Sequence, residues 1–331
     1  MSALPTRHKR LVAATFVLFG LAANSYALDP SRPVTQYARD VWGLRNGLPR
    51  GQIRAITQTA DGFLWIGTEQ GARRFDGFTF TLPQDSGTEP FALDRILGIV
   101  ADRAGSLWFR LPEPTLVRYE KGLFTAMRVR PGVDSLATAM VPAADGTLLF
   151  ATRLDGILRW NGWHFESTAP QSALPPSPII SIAASGNGDI WLGTVDAGLL
   201  RLRSRVITKI AAGLPDLKVN CMLADERGDL YVGTDHGLAL WDGTRFTQAG
   251  LPRALRRARI LSVAKDRDAN LWLGTGYDLL RFNAQGLSGF DETGSAKAVS
   301  ALFEDREGSI WVAGTAGLDR FRDYAVVTVS E

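Results

Sequence analysis

Side chains able to do acid–base, nucleophilic or metal chemistry are scarce in this sequence. It has three histidines, His8, His164 and His236, and one cysteine, Cys221. A general base works best with a pKa near the operating pH, which singles out histidine. His236 lies in the turn-like Asp235-His-Gly237 and is the best-placed base. His164, in Trp163-His-Phe165, reads as a surface residue on an outer strand. A single cysteine allows neither a disulfide framework nor a multi-cysteine metal site. No Gly-x-Ser-x-Gly elbow, phosphate loop or paired-histidine metal motif occurs. Gly186-Asn-Gly188 suits a hairpin rather than a nucleotide loop. Asp266-Arg-Asp268 suits a turn better than a metal. The expectation is therefore no catalytic residue, no metal and no cofactor; the alternative is a propeller-type lyase or hydrolase with His236 as its base.

The elements that must position any site follow from the rest of the chain. Its 331 residues are 45% hydrophobic and 21% charged, the composition of a folded protein and not of a disordered chain. The formal charge of +3 resides in the first 27 residues. Arg7, Lys9 and Arg10 precede an apolar run over residues 11–23 and a small-x-small step, Ser25-Tyr26-Ala27, the pattern of a secretory signal peptide. Taking those three from the 37 basic residues leaves 34, equal to the 34 acidic ones. A balanced remainder argues against nucleic-acid binding. Residues 1–27 are thus expected to be a leader, and 28–331 a domain that acts in the periplasm. No cysteine follows the leader to carry a lipid.

One short pattern organises that domain. Asp61-Gly-Phe-Leu-Trp65-Ile-Gly-Thr68 recurs as Gly188-Asp-Ile-Trp191-Leu-Gly-Thr194, Gly228-Asp-Leu-Tyr231-Val-Gly-Thr234, Asn270-Leu-Trp272-Leu-Gly-Thr275 and Gly308-Ser-Ile-Trp311-Val-Ala-Gly-Thr315. Gly105-Ser-Leu-Trp108-Phe-Arg110 and Gly146-Thr-Leu-Leu149-Phe-Ala-Thr152 are weaker copies. The seven anchors, Trp65, Trp108, Leu149, Trp191, Tyr231, Trp272 and Trp311, follow one another at 39 to 43 residues. Each unit has room for four short strands, as at 259–264, 271–275, 279–282 and 287–290. The strands are apolar on both faces, as sheets sandwiched between neighbours must be. Four strands per unit of about 40 residues predict an all-β, seven-bladed β-propeller. The recurring Trp is structural, and its Gly-Thr suits close backbone approach. Ring closure needs one strand from a distant part of the chain. Residues 34–42 and 325–330 compete for that place, a conflict that points to a chain continuing past Glu331.

In a propeller the turns between second and third strands share one face with the blade-to-blade connections. Here those turns present Glu69, Arg110, Arg153, Asp235, His236, Tyr277 and Asp278, and a connection adds Arg253 among four Arg in seven positions. Mixed charges beside an aromatic ring suit a polar small molecule or an oligosaccharide, stacked on Tyr277.

The repeat resembles the two-component regulator propeller. Tyr37-Ala-Arg-Asp-Val-Trp42, Asn46-Gly-Leu-Pro49, Ile56-Thr-Gln58, the Trp65 motif and Gly71-Ala-Arg-Arg-Phe-Asp-Gly77 look like its opening signature, and Gly213-Leu-Pro215 and Gly250-Leu-Pro252 like its inter-blade form. The resemblance implies a periplasmic sensor region of bacterial hybrid histidine kinases or diguanylate cyclases. Such proteins carry further repeats, a Tyr-rich sandwich, a membrane helix and an output domain, none of which this sequence shows. The expected function is ligand sensing without catalysis, passed to a membrane-bound signalling partner or through a second copy of the chain. A protein-binding scaffold is the other alternative.

Overall fold

Each anchor is the second residue of the second strand of a sheet, and that strand lies between the first and the third, with the fourth outermost. Seven four-stranded antiparallel sheets result. Neighbouring sheets touch all the way round, the last against the first, and their first strands border one axial channel. The computed structural model describes residues 28–83, 93–128, 136–225, 228–290, 298–315 and 317–324. Within them the only helical elements are three short 3-10 turns, Val34–Gln36, Leu44–Asn46 and Gln171–Ala173. The molecule is a seven-bladed β-propeller, as the repeat predicts. The leader at 1–27 and the competing segment 325–330 lie outside the described residues.

The five Trp anchors are at most 2% exposed. A buried indole N–H without an acceptor would cost about 1–3 kcal/mol. In every case the acceptor is the side chain six residues earlier: Thr59, Asp102, Ser185, Asp266 and Asp305, at 2.6–3.2 Å. Asp266 also receives the amides of Asp268 and Asn270, so Asp266-Arg-Asp268 is a turn that caps Trp272. Blade three obeys the same rule in reverse. Its anchor, Leu149, has nothing to donate, and the residue six earlier is Ala143.

The opposite side of each anchor is covered from the third strand. Arg74, Arg118, Arg159, Arg201, Arg281 and Arg320 stand across the strand pair from Trp65, Trp108, Leu149, Trp191, Trp272 and Trp311. Four of these guanidinium groups lie 5.4–6.0 Å from the indole centroid, within cation–π range. Arg74 instead covers Phe63 at 3.5 Å.

The glycine two residues past the anchor serves the next blade rather than the indole. A Cβ on Gly67, Gly193, Gly233 or Gly274 would meet Ile96, Val219, Ile260 or Val299 at 2.5–2.7 Å. The following Thr holds the turn between second and third strands. Its hydroxyl donates to the carbonyl of Gly71, Gly156, Gly198, Gly237 or Asp278 in five blades.

The ring closes through Ala38–Trp42, which pairs antiparallel with Leu318–Arg322 as the outer strand of blade seven. The extended segment expected at 34–42 is thus shorter at its start. Val34–Gln36 forms a 3-10 turn whose first amide bonds the Ser288 hydroxyl in blade six. Trp42 stacks on Trp311 at 5.2 Å. Arg39 reaches the fully buried Asp319 at 2.9 Å. On the other face of the pair, burial works against the Asp40 carboxylate. Hydrogen bonds from Arg322 and Arg320 outweigh it and hold its pKa below the ordinary value.

Arg39→Ala removes a charged partner from a buried carboxylate and is expected to destabilise the fold by about 1–3 kcal/mol, read from denaturant unfolding. Asp40→Asn is expected to cost about 1 kcal/mol at pH 7. Its pKa is depressed by folding, so that contribution exists above about pH 4, the unfolded value, and disappears as the pH falls through the folded one. Mutant and wild-type stabilities should draw together as the pH falls from about 4 through the folded value; a gap that does not narrow over that fall contradicts the assignment.

Candidate functional site

The first strands are edge strands, with main-chain groups unpaired toward the axis. In five blades the pairing with the second strand slips at one residue: Arg54, Thr138, Ile180, Asn220 or Leu261. Such bulges re-aim a side chain. Here they set these five residues at one mouth of the channel, the end bearing the blade connections. The channel encloses about 350 Å³. Its lining has three tiers. The mouth carries Arg54, Gly98, Thr138, Ile180, Asn220, Leu261 and Ser300, with Arg110 from a second strand. Mostly small residues follow, among them Ala55, Ala139, Ser181 and Ser262. Below lies a ring of Ile56, Val100, Met140, Ile182, Met222, Val263 and Leu302, apolar in every blade.

Of the residues expected at the site, Arg110 belongs to this channel directly. It replaces the glycine found two past the anchor in blades one, four, five and six. One terminal nitrogen donates to the Leu97 carbonyl at 2.8 Å. Burial, and then the charge of Arg54, pull its pKa down to about 10, so it remains a cation. Glu69 joins through Arg54, which binds its carboxylate at 2.8 Å and, with lesser burial opposing, keeps it ionised below the ordinary range.

Asp235 joins from blade five. Asn220 donates to its Oδ1 at 2.8 Å and also bonds the Ile260 carbonyl of blade six. Lys218 and Arg259 pair with the same carboxylate at 3.2 and 2.9 Å. Burial opposes the charge of Asp235, but these three donors outweigh it and lower its pKa. His236, beside it, has Nδ1 against the Asp216 carboxylate of the preceding connection, with its side chain 74% exposed.

The other expected residues lie outside the channel lining. Arg153 edges a separate hollow of about 400 Å³ between blades three and four, with Leu154, Thr152 and Pro178. Tyr277 is 86% exposed and meets no ring partner, so it is a loop-tip aromatic. Asp278 serves its own turn, where its carbonyl accepts from Thr275. Arg253 is exposed on the connection into blade six. His164 precedes the outer strand Phe165–Ala169 in a turn, near Glu166. Cys221 lies at the channel wall with its sulfur beside Gly233. Burial raises its pKa to about 12, which leaves it no nucleophile. Among the described residues no cluster of three His, Cys, Asp or Glu could hold a metal ion.

Arg54, Asn220, Lys218 and Arg259 are the members that sequence reasoning misses. Arg54 and Asn220 interrupt apolar first strands, the one available signal, since a bulge leaves no mark of its own in the sequence.

A family model described as two component regulator propeller matches residues 47–70 and 213–236. These are two component regulator propeller repeats. Both matched stretches start in a Gly-Leu-Pro connection, run through the first and second strands, and stop in the turn that holds Glu69 or Asp235 and His236. Among solved structures, the chain is similar to the extracellular domain of the putative hybrid two component system BT3049 from B. thetaiotaomicron. The TM-score is 0.75 at 21% identity, over 87% of this chain and 42% of that one. This chain therefore spans under half the length of that domain. The fold is also similar to virginiamycin B lyase from Staphylococcus aureus, at TM-score 0.69 and 14% identity over 87% of this chain and 100% of that one. A third likeness is to YCF48 from Cyanidioschyzon merolae, at TM-score 0.64 and 14% identity over 88% and 100%. At these identities the likeness is one of fold. No curated protein matches.

Arg259 and Lys218 share Asp235 at a solvated rim. Arg259→Ala is expected to shift stability by less than about 1 kcal/mol. A larger loss in a thermal melt would make the cluster a fold determinant rather than a surface.

Proposed function

We propose that this chain is a ligand-sensing propeller of a bacterial signalling receptor, working outside the cytoplasm and without catalysis of its own. The observation that carries the reading is the channel mouth. There Arg54 and Arg110, from blades one and two, line a concave space beside Asn220, which holds the Asp235 carboxylate of blade five, and blades one and five carry the stretches that match the two component regulator propeller model. The similarity to an extracellular domain of a two component system, and the leader-like residues 1–27, support the location. Sensing requires a ligand that distinguishes two states of the receptor. A ring in which every blade is wedged against two others has little freedom inside, so the change falls on how copies or partners pack against it.

A second reading has one observation in its favour. A histidine with Nδ1 held by a carboxylate, as His236 is by Asp216, has the arrangement of an oriented general base. With the fold likeness to virginiamycin B lyase, it supports a lyase or hydrolase.

Two measurements separate the readings. A thermal-shift panel of oligosaccharides and organic acids is expected to yield a stabilising ligand, about 2.7 kcal/mol at a hundredfold excess over its Kd. Solution scattering should then change on adding that compound; identical curves with and without it argue against sensing. Turnover of the same compound, abolished in His236→Ala, would establish the enzyme instead.

A further inference from the structure

Arg110 occupies a position where four other blades need glycine, and blade two accommodates it by an exchange. In blades one, four, five and six the first strand supplies the mouth residue and the second strand recedes to a glycine. In blade two the first strand recedes, to Gly98, and the guanidinium of Arg110 comes forward from the second. A Cβ on Gly98 would lie 3.4 Å from Arg110 Nε and 3.7 Å from Met140 Cε, so this is the space that the guanidinium uses. The fold does not demand the exchange, since blades one, four, five and six are built without it.

The result is a half-buried cation at the mouth of the channel. Among the described residues its guanidinium donates to the neutral Leu97 carbonyl, and no carboxylate pairs with it. The charged neighbour in the channel is another cation, Arg54, whose own carboxylate is Glu69. Taking a guanidinium out of water is costly unless an anion faces it. Guanidinium and carboxylate match in a two-pronged hydrogen bond. Beyond the mouth, the lining side chains turn small and then apolar, one aliphatic or Met side chain per blade, set between main-chain groups of the first strands. The channel volume of about 350 Å³ lies in the range of small-molecule sites. A neutral sugar would leave the cation unanswered.

We propose that the axial channel binds a small organic monocarboxylate with an apolar body, its carboxylate on Arg110 and its body against the apolar ring. This deepens the sensor reading, on which it rests, by naming the class of signal.

The test is calorimetric titration of the full chain with butanoate, hexanoate and octanoate, with octanol and inorganic phosphate as probes of each half alone. Affinity is expected to rise about fourfold per methylene. Arg110→Gly, which restores the residue of the other blades, and Arg110→Gln should each weaken octanoate at least tenfold while melting cooperatively. The inference is overturned if no carboxylate binds, if either variant binds like wild type, or if octanol or phosphate binds as well as octanoate. A neutral glycan that binds where carboxylates fail would overturn it and leave the sensor reading standing. Octanoate that binds without altering the scattering curve would uphold the site and sink the sensor reading.

Discussion

The structure depends on a buried indole whose single polar atom must be satisfied. Each Trp anchor is packed against the following blade and crossed by an arginine of its own third strand, so its N–H cannot reach water. The chain answers locally, with an oxygen six residues upstream across the hairpin. That bond fixes the turn between first and second strands and the register of the pair. The arginine from the third strand then fixes the next pair. Once the anchor is placed, three of the four strands of a blade are placed with it. The glycine beyond the anchor sets how closely the following blade can lean in.

Departures from this arrangement are instructive because they are matched. Leu149 comes with Ala143, the loss of donor with the loss of acceptor. Tyr231 has Leu240 across the pair where other blades have Arg, and the residue six before it, Asp225, binds Lys265 of blade six at 2.6 Å. Arg110 comes with Gly98. The first two keep a blade sound without its indole. The third changes what lines the axis.

Much of the fold was legible in the sequence because it rests on spacing. Anchors recurring near 41 residues, Gly and Asp at hairpins and two-faced apolar strands gave blade number and strand order, and the second strand Leu271–Thr275 falls where expected. The pattern also held information that a reading confined to the anchor passes over. A polar residue six before every Trp and an Arg nine or ten after it are both plain in the sequence once the pairing is known. The candidate site was less legible. Which loop residues converge depends on bulges that re-aim Arg54 and Asn220, and on blade twist, neither of which has a signature in composition. Loop position alone therefore grouped Tyr277 and Arg253 with Arg110, although they stand apart in space. Arg110 itself was visible, as a break in the Gly-Thr pattern.

The clasp between Ala38–Trp42 and Leu318–Arg322 has a consequence for how the molecule is made. Of the strands described, the outer strand of blade seven is made first and its partner last. Until that partner is made, the arc has two raw ends, one apolar flank on blade one and another on whichever blade is newest. Such surfaces invite association with other nascent chains. Maturation is then a single late event that covers both flanks at once, and its speed is set by the search of two far-apart segments for each other rather than by any step within a blade.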